Sequence, residues 1–253
     1  MYNFSILVDD SIAPDFIGKV QFCNRLLLAN MEIGDKLDEH FIVDLNGEQL
    51  EMYRKLLITN NKKLVLLNSI RPVVEFEYYK ELLRKAYILG IENVNIIINY
   101  EDEDKELYNH HFRNICRVAG NYGLEVLIEN SATRFISNDK ANESFYENIK
   151  MKNTGLIFNP LEYVKLKTHP FFHEFYNSKQ KGNIKFLRVN DGLFIDGKPA
   201  MPAQGNGEIK ELASILLSRS FKGYFSFTPY LNKMDTNMYI EVIECFKRIL
   251  MTI

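Results

Sequence analysis

The sequence predicts an α/β protein that folds as a (β/α)8 barrel in one domain over residues 1–253, and three observations lead to this prediction. Short apolar runs alternate with segments of helical periodicity along the whole chain. Eight such runs occur, which is the number of strands in this barrel. The length of 253 residues also matches the usual size of the fold, about 250 residues.

Nearly every predicted strand is followed by a polar residue. A buried parallel strand reads as continuous apolar sequence, and the carboxyl ends of the strands form the face of the barrel that carries the site. The runs are Phe4–Val8, Phe41–Val43, Leu64–Leu67, Val94–Ile98, Val126–Ile128, Leu156–Phe158, Ile184–Val189 and Tyr224–Phe227. The residues that follow them are Asp9, Asp44, Asn68, Asn99, Glu129, Asn159, Asn190 and Thr228. We therefore expect a barrel with a polar-lined mouth.

Helices are predicted between the runs from capping residues and periodicity. Pro14 and Asp15 open the first helix, Asn46 and Gly47 introduce the second, and Gly90 closes the third. The third to eighth predicted helices span 74–89, 102–122, 138–150, 168–178, 208–220 and 236–253. The longest irregular stretch, 191–207, is rich in glycine and proline and follows the seventh strand. Because long loops in compact domains are usually functional, we predict that this one covers a substrate.

The composition argues against several classes of partner. Basic residues number 31 and acidic residues 33, so no global field favours nucleic acid or an anionic membrane. No apolar run approaches the roughly 20 residues that span a bilayer. Cys23, Cys116 and Cys245 are spaced too widely for a zinc site or a disulfide framework, which predicts reduced thiols. The first residues, MYNFSILVDD, read as a strand rather than as a targeting segment, and with the lack of a long apolar run this predicts a cytoplasmic protein.

Five segments carry a resemblance to a known superfamily. They are GLEVLIEN (123–130), TGLIFNPLEYV (154–164), NIKFLRVND (183–191), PAQGNGEI (202–209) and FKGYFSF (221–227). In order and spacing they resemble the xylose isomerase-like, or AP endonuclease family 2, TIM barrels, which include sugar-phosphate isomerases and epimerases. The resemblance covers the whole chain in strand order and is specific in its motifs from about Gly90 onward.

The resemblance implies a divalent metal held by strand-end residues, and this chain departs from that pattern. The family uses Glu after the fifth strand, Asp after the sixth, His in a His-x-x-Asp motif on the seventh and Glu after the eighth. Glu129 matches the first ligand, whereas the other three positions hold Asn159, Arg188 and Thr228. A guanidinium is permanently cationic and cannot ligate a metal. The usual metal site is therefore predicted to be degenerate.

Other motif positions are partly kept. Asp191 preserves the acid of the His-x-x-Asp motif, Asn99 stands at a strand-four histidine, and Glu162 stands at a second ligand histidine of the endonuclease members. The glycines of the pattern are Gly205, Gly207 and Gly223.

The resemblance implies a sugar or sugar-phosphate isomerase or epimerase that acts on a small polyhydroxylated carbonyl compound by proton transfer. Glu129 would be the base, and Arg188 would occupy the place of the missing ion, pair with Glu129 and stabilise charge. For Arg188, simple neutralisation of Glu129 or Asp191 is an equal alternative. The predicted partners of sugar hydroxyls are Asn99, Asn159, Asn190 and Asp191.

We predict that no cofactor is needed, with a divalent metal (Mg, Mn or Zn) as the alternative. Its ligands would be Glu129, Glu162 and Asp191, an oxygen set suited to Mg²⁺ or Mn²⁺. His169 and His173 have the i, i+4 spacing of a helical metal pair, but the sequence shows no third ligand for them, and a partly exposed pair is the preferred interpretation.

Two other functions are weighed against the isomerase. The first is a non-catalytic sugar-binding or regulatory barrel that has lost the metal-dependent reaction. The second, ranked last, is endonuclease IV-type DNA repair, which needs three zinc ions and a rich set of His and Asp ligands. The resemblance is also compatible with a homodimer.

Overall fold

The strands of the computed structural model, which describes residues 2–98, 105–232 and 234–253, form a closed parallel barrel. Each of the eight strands is bonded to its neighbours in the sequence, and the first is bonded to the eighth. They are β1 (Asn3–Leu7), β2 (Asn30–Gly34), β3 (Lys63–Ser69), β4 (Asn93–Ile96), β5 (Glu125–Glu129), β6 (Thr154–Phe158), β7 (Ile184–Arg188) and β8 (Tyr224–Phe227). The predicted (β/α)8 fold is confirmed.

Helices follow the strands. They are α1 (Phe16–Arg25), α2 (Gly47–Thr59), α3 (Phe76–Ile88), α4 (Lys105–Asn121), α5 (Asp139–Ile149), α6 (Pro160–Lys165), α7 (Ile209–Ser218) and α8 (Thr236–Leu250). Asp15 caps α1 by accepting from the backbone N–H of Gly18, and Asn46 forms a capping box with Gln49 at α2. These are the starts that the sequence predicts.

The predicted second strand is wrong. Phe41 belongs to a short hairpin in which Lys36–Leu37 pairs with His40–Phe41, and Ile42–Asp44 is a 3-10 turn. The second barrel strand is β2, whose apolar residues are interrupted by Glu32. That carboxylate is fully buried and accepts a hydrogen bond from the Ser5 hydroxyl at 2.6 Å, as a buried polar group requires.

The predicted sixth helix is also corrected. Helix α6 begins at Pro160, directly after β6, because proline suits the first turn of a helix. The predicted range 168–178 contains a single π-helical turn, Pro170–Phe175. The start of the predicted fourth helix, 102–104, lies outside the described residues.

Contacts between residues divide the chain into two compact units. The first unit comprises Glu129–Phe145, Leu156–Ile253 and the N-terminal residues through Phe4. Its core includes Phe225 and Phe227 of β8, whose rings lie 5.1 and 6.0 Å from that of Phe246. The rest of the chain, Ser5–Ile128 with Tyr146–Gly155, forms the second unit, whose core includes the fully buried side chains of Leu66 and Leu67.

The long loop after β7 has its own structure. Asp191–Gly192 pairs antiparallel with Pro199–Ala200, and Asn206 accepts a hydrogen bond from the backbone N–H of Phe194 at 2.9 Å. Whether the loop covers a substrate remains a prediction.

No helix in the described part of the chain is long and apolar enough to cross a membrane. All three cysteines are free thiols.

Candidate functional site

Polar side chains from four consecutive strand ends meet in the first unit. Arg188 ends β7 and is paired in register with Ser226 of β8. Because side chains alternate along a strand, residues two positions further on lie above this pair on the same face. These residues are Asn190 and Thr228, whose side chains are hydrogen-bonded at 2.9 Å. The site therefore has two layers along these two strands.

Glu129 and Arg188 form a forked ion pair. The guanidinium donates from Nε to Oε1 at 3.2 Å and from Nη2 to Oε2 at 2.9 Å. The Arg188 side chain is 2% exposed and that of Glu129 is 21% exposed. A paired fork of this kind fixes both position and orientation of the two groups. The structure thus brings together the two residues that the sequence singles out most strongly.

Ser226 sets the direction of the guanidinium from the other side. Its hydroxyl accepts a hydrogen bond from Arg188 Nη1 at 2.6 Å, and Ser226 is fully buried. Sequence reasoning missed this residue, because a serine in an apolar strand carries no signal of its own. The pairing of β7 with β8 would have been needed to find it.

Asn159 and Asn190 extend the network away from Glu129. Asn159 Nδ2 donates to Glu129 Oε1 at 2.9 Å, and Asn190 Nδ2 lies 3.5 Å from Asn159 Oδ1. Both asparagines are buried. Two of the predicted hydroxyl-binding amides therefore lie in one network with Glu129.

Asn130 joins the ends of β5 and β6. Its side chain donates to the carbonyl oxygen of Asn159 at 2.9 Å and accepts from the N–H of Asn159 at 2.7 Å. Asn130 is not among the residues that the sequence predicts for the site, although it directly follows Glu129. Its amide fixes the backbone from which Asn159 reaches Glu129.

The Asp191 side chain is hydrogen-bonded to backbone groups of the loop that follows β7. Its carboxylate accepts hydrogen bonds from the backbone N–H groups of Gly192, Gly205 and Gly207 at 2.7, 3.0 and 2.6 Å, and the residue is fully buried. Burial raises the pKa of Asp191, while the bonds from the glycine N–H groups act in the opposite direction. A Cβ on Gly205 would lie 2.4 Å from this carboxylate. The geometry favours a structural role over the predicted contact with sugar hydroxyls.

Glu162 makes contacts other than the one with a metal ion that the alternative set of Glu129, Glu162 and Asp191 requires. It accepts from the backbone N–H of Ala132 at 2.9 Å and pairs with Lys165. Asn99, the remaining predicted hydroxyl partner, lies outside the described residues.

The residues present do not suit a divalent metal. Both oxygens of Glu129 accept hydrogen bonds from a guanidinium, whose positive charge would repel a second cation. Among residues 2–98, 105–232 and 234–253, no three His, Cys, Asp or Glu side chains are grouped so that they could hold an ion. His169 Nδ1 instead lies 3.2 Å from a carboxylate oxygen of Glu208, and the His169 and His173 rings are 5.5 Å apart.

Comparison by sequence assigns the chain to no family. No family model matches the chain. No curated protein matches it either.

Comparison by structure finds many similar barrels. A xylose isomerase-like TIM barrel protein from Mycobacterium smegmatis, solved in complex with magnesium, has a TM-score of 0.79 at 13% identity over 100% of this chain and 97% of that chain. The 3-keto-D-glucoside 4-epimerase from E. coli has a TM-score of 0.78 at 10% identity over 98% of this chain and 100% of that chain. D-Psicose 3-epimerase from Clostridium cellulolyticum H10, with D-tagatose, has a TM-score of 0.68 at 13% identity over 95% of this chain and 89% of that chain.

At these identities the likeness concerns the fold, and a shared fold does not fix the reaction. The resemblance predicted from the sequence is confirmed at that level: the chain has the fold of the xylose isomerase-like TIM barrels, a fold that sugar epimerases also use.

Proposed function

We propose that the chain binds a small polyhydroxylated carbonyl compound, a sugar or a sugar phosphate, and transfers a proton on it without a divalent metal. The observation that carries the proposal is the forked pair of Glu129 and Arg188 at the strand ends. It places a carboxylate and a fixed cation side by side, which are the two groups that proton abstraction next to a carbonyl requires. The sugar epimerases among the structural neighbours support the substrate class.

In the proposed reaction Glu129 takes the proton from the carbon next to the substrate carbonyl. The C–H bond breaks, an O–H bond forms on the carboxyl group, and the electron pair moves to the carbonyl oxygen. Arg188 stabilises the negative charge on that oxygen. Glu129 then returns the proton to the former carbonyl carbon, while the hydroxyl group on the other carbon passes its proton to the first oxygen and becomes the new carbonyl group. One carboxylate can serve both steps on one face of the substrate.

This geometry favours isomerisation over epimerisation. Inversion at one carbon needs a second acid on the opposite face of the substrate. The strand end that carries a carboxylate in the resembling family holds Thr228 in this chain, and a threonine hydroxyl is a poor acid or base at neutral pH. We therefore expect interconversion of an aldose and a ketose, which a single base can catalyse.

A non-catalytic sugar-binding barrel is the second candidate, and one observation favours it. Glu129 accepts three hydrogen bonds from Arg188 and Asn159, and these become weaker when the carboxylate accepts a proton and loses its charge. Hydrogen bonds to charged groups are worth about 1.5–3 kcal/mol each, so this weakening opposes the reaction. The same bonds cost nothing to a protein that only binds its ligand.

Proton exchange with solvent separates the two candidates. The protein would be freed of metal with EDTA and incubated in D2O with D-fructose, D-glucose and their 6-phosphates, while NMR follows loss of the proton at the carbon next to the carbonyl. Exchange by the wild type that is lost in Glu129→Gln, and kept in the exposed control Lys210→Met, supports the isomerase. Thermal stabilisation by a sugar without exchange supports the binding protein. Neither exchange nor stabilisation with any of the four compounds contradicts both.

We also propose a cytoplasmic location, since three free thiols suit a reducing compartment. Fractionation of the native host cells would test it.

A further inference from the structure

Three buried side chains form a line of hydrogen bonds that ends on Glu129. Thr228 Oγ1 donates to Asn190 Oδ1 at 2.9 Å, Asn190 Nδ2 lies 3.5 Å from Asn159 Oδ1, and Asn159 Nδ2 donates to Glu129 Oε1 at 2.9 Å. Thr228, Asn190 and Asn159 are 8%, 3% and 7% exposed. Each of them stands at the end of a different barrel strand. We call this line the Thr228 relay.

The carboxylate at its end gives the relay a single direction. A carboxylate only accepts hydrogen bonds, so Asn159 must turn its NH2 group toward Glu129. The carbonyl oxygen of Asn159 then faces Asn190, which must in turn present its own NH2 group. The oxygen of Asn190 therefore faces Thr228, whose hydroxyl has to donate. The orientation of every group follows from the acceptor at position 129.

This direction leaves the Thr228 hydroxyl able to accept further hydrogen bonds but not to donate one. A hydroxyl has one donor and two acceptor lone pairs, and the donor is used on Asn190. Thr228 lies two residues beyond Ser226 on β8 and so shares its face, but it is 8% exposed where Ser226 is fully buried. Within the relay, it is the group that is separated from Glu129 by the largest number of hydrogen bonds. A group that meets it from the mouth finds a hydrogen-bond acceptor.

We propose that Thr228 is a specificity-determining residue that accepts a hydrogen bond from a hydroxyl group of the bound sugar. The proposal rests on the proposed function, because it takes the ligand to be polyhydroxylated. A ligand group that has only acceptor oxygens, such as a carbonyl or a phosphate dianion, finds no donor at Thr228. The site thus selects for a hydroxyl at this point of the ligand, and the strand end that holds a metal-binding carboxylate in the resembling family contributes to binding by a different chemistry.

The first part of the test examines the relay without any ligand. Side-chain amide signals of Asn159 would be compared by 15N NMR in the wild type, Thr228→Val and Thr228→Ser. The valine variant keeps the shape of the side chain and removes its hydroxyl group. Asn159 does not contact Thr228 directly but is linked to it through Asn190, so we expect the valine variant to shift the Asn159 amide signals. The serine variant keeps a hydroxyl group and should restore them. Thr154→Val is the matched control, since it removes another buried threonine hydroxyl that bonds to the carbonyl oxygen of Met151. The relay is overturned if the Asn159 amide signals are the same in Thr228→Val and the wild type, or if Thr154→Val shifts them by the same amount.

The second part examines the contact with the ligand. Calorimetric titration would use D-fructose and its monodeoxy derivatives as probes. We expect Thr228→Val to weaken D-fructose binding about tenfold, with Thr228→Ser and Thr154→Val within about twofold of the wild type, since one hydrogen bond is lost. For one monodeoxy derivative, the wild type and Thr228→Val should bind equally. Equal binding of D-fructose by the wild type and Thr228→Val overturns the contact.

The two proposals fail in different ways. If D-fructose binds to no form of the protein, the ligand class and the Thr228 contact fall together, and the Asn159 signals still decide whether the relay exists. If D-fructose binds equally well to the wild type and Thr228→Val, the proposed function survives and the role of Thr228 is overturned.

Discussion

Replacement of Arg188 by methionine perturbs the centre of the site with little change in packing. Methionine keeps an unbranched apolar stem and removes the donors that reach Glu129 and Ser226. Removing one partner of a buried ion pair costs about 3–5 kcal/mol. The Glu129 side chain is 21% exposed, so water can partly solvate the carboxylate that remains. We therefore expect the lower end of this range, a loss of about 3 kcal/mol in the free energy of unfolding.

The assay is urea and thermal unfolding followed by circular dichroism. For a chain of 253 residues, a loss of about 3 kcal/mol corresponds to a fall in Tm of roughly 6–12 °C. A double-mutant cycle with Glu129→Gln should give a coupling energy of at least about 1 kcal/mol, because the two side chains contact each other directly. The exposed control Lys210→Met should stay within about 0.5 kcal/mol of the wild type.

Two results would refute this reasoning. A loss below about 1 kcal/mol in Arg188→Met would mean that the buried fork contributes no more than a surface ion pair. A coupling energy near zero would mean that Glu129 and Arg188 do not contact each other in the folded protein.

Three further predictions concern the loop after β7 and a buried carboxyl group. Asp191→Asn should cost about 2–3 kcal/mol in urea unfolding and speed proteolysis of the loop, because an amide has one acceptor oxygen for three backbone N–H groups. Gly205→Ala should destabilise more than Gly182→Ala, since its Cβ would lie 2.2 Å from a backbone oxygen, whereas at Gly182 nothing lies within 4 Å. Burial raises the pKa of Glu174 above its ordinary value of 4.5, so its contribution to stability is present below that pH and is lost as the pH rises through the raised pKa. Glu174→Gln, which stays neutral, should therefore gain stability relative to the wild type as the pH rises above about 4.5 in urea unfolding.

The outcomes that contradict these predictions are distinct. Asp191→Asn at wild-type stability would show that the loop does not depend on the carboxylate. Equal effects at Gly205 and Gly182 would remove the steric argument. A constant difference between Glu174→Gln and the wild type across this pH range, as expected for the exposed control Glu211→Gln, would show that Glu174 does not titrate with a raised pKa.

The fold was predictable where strands are uniformly apolar and was missed where one is not. β3 reads as an apolar run, so the sequence predicts it, whereas β2 carries Glu32 between Met31 and Ile33, and the sequence predicts a strand at Phe41–Val43 in its place. Periodicity cannot show that a charged residue is buried with a partner from a neighbouring strand. The hydrogen bond from Ser5 to Glu32 joins residues 27 positions apart, which the parallel pairing of β1 with β2 brings together.

The sequence predicts which strand ends form the site, but it does not predict which hydrogen bonds the side chains make there. Glu129 and Arg188 could be paired because the resemblance places both at neighbouring positions of one site. Asp191 shows the limit, since its position in a motif indicates a ligand contact while its environment is three backbone N–H groups. Backbone groups leave no mark in the sequence, so a side chain that caps a loop cannot be told from one that faces a ligand.

The proposed replacement of a metal by hydrogen bonds would change what the site selects. Ligands of a metal are acceptors that converge on one cation, and a substrate oxygen joins them by coordinating the same ion. In this chain the cation is Arg188, a part of β7, and it is surrounded by groups whose donors and acceptors are already oriented by Glu129. Under the proposed function, a ligand therefore meets a fixed pattern of donors and acceptors rather than an open coordination position. Recognition by such a pattern rejects a ligand that lacks a matching group, because a buried polar group is then left unsatisfied.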